Sequence, residues 1–188
     1  MIYIPIAPYL NIDFYVNTQF WEIVDGTPHR GVDLITHNSE NAPLYSILDG
    51  TVLDKGYTNT AGNYLIIKGN DPQGTSTRML HLKDPALVNI GDRVSKYQLI
   101  GYEGNTGQSQ GKHLHLEMKY LFSGNVWVAS NVRSDYIDPC AYLGFPNVTG
   151  TAVRCNYSPS PILLGRKKFP WAVLFKDIRK KYIIKNVK

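Results

Sequence analysis

Glycine, asparagine, aspartate and proline interrupt the chain at short intervals from Asp25 to Gly111, and the stretches between them are too short to show a helical period. Residues 43–47, 50–53, 63–68, 77–82 and 98–102 read instead as successive short strands separated by turns, with residues 69–74 as a hairpin loop. This punctuation predicts a mainly β protein built on an antiparallel sheet or sandwich. The clearest strand is Gly111-Lys112-His113-Leu114-His115-Leu116-Glu117, where polar and apolar residues alternate. On such a strand His113 and His115 share one face, and Leu114 and Leu116 point into the core. Residues 135–144 predict one helical turn closed by Gly144.

At 188 residues the chain suits one domain with an appendage, and 43% hydrophobic with 19% charged residues describes a globular rather than a disordered protein. The net charge of +5 is unevenly distributed. From Arg166 onward nine Lys/Arg stand against one acidic residue, whereas the rest of the chain is slightly acidic. We expect a domain over residues 1–150, and over 151–188 a linker (Ser158-Pro159-Ser160-Pro161) with a basic amphipathic tail. In that tail Pro170 opens a short helix with Trp171, Leu174, Phe175, Ile178 and Tyr182 on one face. Such a tail suits an anionic wall polymer or membrane surface; nucleic acid has no reader motif here and is not expected. The first residues lack the charged and apolar segments of a signal peptide, and no run reaches the length of a membrane span. Cys140 and Cys155 form no metal knuckle; they could pair in a disulfide or stand as two buried thiols, and without an export signal the reading favours thiols.

Four of the five histidines concentrate the chemistry. His29 and Asp33 stand four apart around Gly31, where a bend brings an imidazole and a carboxylate onto one ion. Together with His113 or His115 they make three N/O ligands, the number used by hydrolytic zinc sites. His81, at the end of a strand, and the remaining strand histidine are then free to move protons. Glu117 reads as a solvated carboxylate or a partner to a ligand. Asn63 and Tyr64 are candidates for lining a groove, and Arg30 and Lys112 are expected to point away from it. His37 reads as a loop residue.

These motifs resemble the M23 metallopeptidase family, the lysostaphin or LytM type. The likeness rests on His29-Arg30-Gly31-Val32-Asp33-Leu34, on Ile47-Leu48-Asp49-Gly50-Thr51-Val52, on His81 after an apolar strand, and on Gly91-Asp92-Arg93-Val94. It is completed by Ile100 to Ser109 running into His113-Leu114-His115, so that it covers residues 20–143. The resemblance implies a β-rich core with a groove and one zinc per chain held by His29, Asp33 and His115. It also implies His81 and His113 as the catalytic pair. The implied activity is endopeptidase cleavage of peptidoglycan stem peptides or cross-bridges, with water activated at the zinc. The implied setting is the bacterial cell wall, reached from a phage virion or on lysis. Alternatives are a non-catalytic wall-binding or hydrolase-activating relative, a virion tail module, and a D,D-carboxypeptidase of the related His/Asp zinc group, whose longer His-to-Asp gap does not fit His29 and Asp33.

Overall fold

The computed structural model describes residues 14–36, 41–121, 126–153 and 184–186. In chain order the strands are β1 (Phe14–Thr18), β2 (Ile23–Val24), β3 (Thr27–Pro28), β4 (Val32–Thr36), β5 (Pro43–Tyr45), β6 (Gly50–Thr58) and β7 (Gly62–Gly69). They continue with β8 (Thr75–Leu82), β9 (Arg93–Val94), β10 (Leu99–Tyr102), β11 (Leu114–Tyr120), β12 (Thr151–Val153) and β13 (Ile184–Asn186). Helix is confined, among the described residues, to a 3-10 turn at Arg133–Asp135 and to α1 (Pro139–Leu143). The mainly β expectation holds, and several strands begin or end at the glycines and prolines that punctuate the sequence, among them β3 at Pro28, β5 at Pro43, β6 at Gly50 and β7 at Gly62 and Gly69. None of the described helices is long and apolar enough to cross a membrane.

One large antiparallel sheet runs β13-β12-β1-β4-β11-β8-β7-β6-β9, beside the two-stranded pairs β5–β10 and β2–β3. The inward side chains of its central strands, Leu34, Leu114, Leu116 and Met118, join Leu44, Ile47 and Ile100 from the β5–β10 region in one buried cluster. Helix α1 adds Cys140 and Leu143 to that cluster. It forms where Asp138 accepts hydrogen bonds from the Cys140 and Ala141 amides and Pro139 occupies the first turn, and it stops at Gly144 with φ +83°.

Strand β11 departs from the one-sided pattern. Leu114 and Leu116 are core, as expected, but His115, Glu117 and Lys119 on the opposite face are also buried. They are tolerated there because each polar atom is paired. Lys119 Nζ donates to the Val128 carbonyl at 2.7 Å and lies 4.7 Å above the Tyr136 ring, which ties residues 126–136 across this face.

Beyond residue 150, β12 pairs with β1, and β13 pairs with β12. His37, Cys155, the proline-rich linker and the helical face read from Pro170 fall outside the described residues. Cys140 is a buried thiol, with burial pushing its pKa above the usual range.

Candidate metal centre

Sheet register brings the first two site residues together. Asp33 of β4 lies directly opposite His115 of β11, so a carboxylate and an imidazole separated by 82 positions become cross-strand neighbours, Oδ1 to Nδ1 2.9 Å. His29 joins them from the segment just before β4. Its backbone amide donates to the Glu22 carbonyl at 2.7 Å and its carbonyl accepts from the Trp21 amide at 2.7 Å, which clamps it against the chain leading into the β2–β3 hairpin. His29 Nε2 then stands 3.1 Å from Asp33 Oδ1 and 3.0 Å from His115 Nδ1. Gly31 makes this convergence possible: a Cβ there would sit 2.4 Å from the Leu116 carbonyl oxygen and 2.8 Å from His115 Nε2.

Three donor atoms thus form a nearly equilateral triangle. A tetrahedral ion with ligands at about 2.0–2.1 Å has edges of roughly 3.3 Å, so a small expansion of the triangle around zinc suffices. Two nitrogens and one oxygen suit zinc rather than calcium or magnesium, which take mostly oxygen. The ring tautomers agree. His29 Nδ1 faces the Gln19 carbonyl at 2.9 Å, so it carries the proton and leaves Nε2 with a lone pair. His115 Nε2 faces Glu117 Oε1 at 3.3 Å, which orients Nδ1 toward the cluster.

The electrostatics express the same crowding. Burial opposes charge on Asp33, but the His115 and His29 rings packed against its carboxylate outweigh it and hold the carboxyl far below its usual range. Burial likewise disfavours the His115 cation, yet carboxylates at both ring nitrogens raise its pKa to about 9. A metal at Nδ1 must displace that proton, so metal loading releases acid. Glu117, despite burial, is held down at about 2 by His115, with Arg78 and Arg30 adding to the effect.

Two further histidines border the cluster. His113 sits just before β11, its Nδ1 2.7 Å from the Gly111 carbonyl and its Nε2 3.6 Å from Asp33 Oδ1. The β8–β7 register shifts by one between Asn63↔Leu82 and Leu65↔Met79, so Leu80 and His81 together oppose a single residue of β7. His81 takes the left-handed conformation, φ +63°, at this bulge, and both Leu80 and His81 line the groove. Its Nδ1 meets the Thr106 carbonyl at 2.8 Å, and the His81 and His113 ring centres are 4.8 Å apart. Burial lowers the His81 pKa to about 4, against the pull of the Thr106 carbonyl, so this ring is neutral near pH 7.

The open space in front of these residues is a groove of about 940 Å³, bordered by the β2–β3 hairpin, by Thr58 and Thr60, and by residues 107–113. Asn63 and Tyr64 are not part of its lining. Asn63 Nδ2 donates to the Leu82 and Lys83 carbonyls, and Tyr64 donates to Asp54 at 2.9 Å. Arg30, expected to point away, instead lines the groove and approaches Glu117. Strand alternation does not apply to it, because β4 begins only at Val32. Lys112 also lines the groove, with Nζ 3.6 Å from the buried Glu103 carboxylate.

The family model described as peptidase family M23 matches residues 27–136, more than half of the chain and all five of these site residues. The chain belongs to peptidase family M23. Members of this family are zinc enzymes, in keeping with the donor triangle. The chain is 43% identical over 91 residues to the peptidoglycan DD-endopeptidase ShyB of Vibrio cholerae, covering 48% of this chain and 20% of that protein. It is 35% identical over 104 residues to the glycyl-glycine endopeptidase ALE-1 of Staphylococcus capitis, covering 54% of this chain and 28% of that one. It therefore spans less than a third of these curated relatives. The catalytic domain of lysostaphin from Staphylococcus simulans superimposes with a TM-score of 0.54 at 28% identity, covering 70% of this chain and 90% of that domain.

Glu117 is the site residue that sequence reasoning left undecided, and its signal was present: it lies two positions after His115 and so shares its face. Replacing Glu117 with Gln keeps the shape but removes the charge that orients His115. Zinc affinity is expected to weaken about 10- to 100-fold, as read by competition with a chromophoric chelator. Unchanged affinity would show that packing alone orients the ring.

Proposed function

We propose that this chain is a zinc endopeptidase that hydrolyses peptide bonds in bacterial peptidoglycan, within stem peptides or cross-bridges, and so acts at the cell wall. The observation that supports this most is the meeting of His29, Asp33 and His115 at about 3 Å spacing on the floor of a groove that His81 and His113 also line. ShyB and ALE-1 supply the substrate class through their names. We assign metal ligation to His29, Asp33 and His115, and proton transfer to His81 and His113. A non-catalytic relative would not need all five.

Zinc held by the three ligands supplies Lewis acidity, polarising a carbonyl and lowering the pKa of water to about 7. The remaining steps belong to the chain. Backbone carbonyls can only accept, so Nδ1 of both His81 and His113 carries its proton, and each neutral ring offers only a lone pair at Nε2. Neither neutral ring can then donate to an oxyanion. One of them must first take the proton lost by the attacking water. As an imidazolium it can hydrogen-bond the developing oxyanion and afterwards return the proton to the leaving amine. With ring centres 4.8 Å apart, two imidazolium rings would repel, so the pair works with one proton between them.

On charge alone, we assign the basic segment from Arg166 to an anionic wall polymer or membrane surface. The test of the main reading is direct. Exhaustive chelation is expected to stop lysis of purified peptidoglycan, and stoichiometric zinc to restore it. Full hydrolysis by protein shown to be free of metal would end the proposal.

A further inference from the structure

Beside the ligand cluster two guanidiniums of the groove wall converge on a single buried carboxylate. Arg30 and Arg78 both line the groove, and both turn toward Glu117, with Arg78 Nη1 3.4 Å from Oε2 and Arg30 Nε 3.8 Å from Oε1. Glu117 is 2% exposed and also places Oε1 3.3 Å from His115 Nε2. One anion thus serves two guanidiniums and an imidazole.

Neither guanidinium makes the two parallel, short bonds that a carboxylate fork would allow. Arg78 Nε is buried without a hydrogen-bond partner among the described residues. Arg78 cannot easily swing away, because its head lies 5.8 Å over the Tyr64 ring and Tyr64 is tied to Asp54. Neutralising Glu117 requires only one cation, yet Arg30 approaches as a second with its side chain 34% exposed to the groove. Of the other carboxylates in the lining, Asp33 is engaged with the histidines, and Asp25 at the β2–β3 turn makes no ion pair with either arginine.

We propose that Arg30 and Arg78 form a carboxylate-binding subsite that favours substrate peptides bearing a free carboxylate near the scissile bond. This deepens the peptidoglycan-endopeptidase reading and rests on it. One imidazole ring and two polar contacts separate Arg30 from His115 Nδ1. That span is at most about 10 Å, roughly three residues of extended peptide. The incoming carboxylate meets the guanidinium donors that face the groove, above all those of the more exposed Arg30, while Glu117 stays with His115.

The probe is a pair of synthetic branched stem-peptide dimers, identical except that the carboxyls flanking the scissile bond are free in one and amidated in the other. Zinc-loaded protein is expected to cleave the free acid with kcat/KM about tenfold higher, mostly through KM, and the ratio shrinks as salt is added. In Arg30→Gln the ratio is expected to fall to within about twofold of unity, with zinc content still at one ion per chain. Equal cleavage of both dimers by the unmodified protein overturns the subsite and leaves the peptidase reading standing. An undiminished ratio in Arg30→Gln, or loss of its zinc, also overturns the assignment to Arg30. Failure to cleave either dimer or purified peptidoglycan overturns the reading beneath it.

Discussion

Replacing His81 with alanine is expected to leave one zinc per chain and to lower kcat by about 10²- to 10⁴-fold. The two halves of this result have separate physical origins. His81 stands outside the donor triangle, its ring centre 6.1 Å from that of His115, so its removal leaves all three ligand atoms in place. What disappears is one of the two rings to which we assign proton transfer, together with the hydrogen bond to the Thr106 carbonyl. Elemental analysis and single-turnover kinetics on a soluble peptide separate the effects. A variant that loses its zinc would make His81 a ligand, and one that keeps its rate would leave His113 as sufficient by itself.

Replacing Gly31 with alanine is expected to weaken zinc binding by more than about 100-fold, exceeding the usual effect of losing a partner behind a ligand. Backbone conformation is not the reason, since Gly31 is not in the left-handed region. Space is. The new methyl would collide with the Leu116 carbonyl of β11 and with His115 Nε2, so either β4 moves off β11 or the His115 ring turns. Each movement separates Asp33 and His115, whose alignment is set by that same strand pairing. Overpacking here is also expected to cost about 1–3 kcal/mol of stability. Chelator competition reads the affinity and thermal denaturation the stability. An alanine variant with undiminished zinc affinity would show that the strands yield without disturbing the ligands.

The all-β fold was legible in the sequence because turn residues and short alternating runs are local signals. So were the core positions of Leu114 and Leu116, and the one-turn helix between Asp138 and Gly144. The five site residues could be picked out by motif, and alternation along one strand placed His113 and His115 on the same side. Other features depended on hydrogen-bond pairing between distant segments. Register put Asp33 opposite His115, a one-residue bulge turned His81 into the groove beside Leu80, and the approach to β4 carried Arg30 inward. Both faces of β11 became buried for the same kind of reason, since residues 126–136 cover Lys119, and Asp33, Arg30 and Arg78 enclose His115 and Glu117, on a side that the local pattern reads as exposed. Periodicity tells a strand which of its sides is apolar. Which neighbour it pairs with, and at which residue that pairing slips, is settled only when the whole sheet closes.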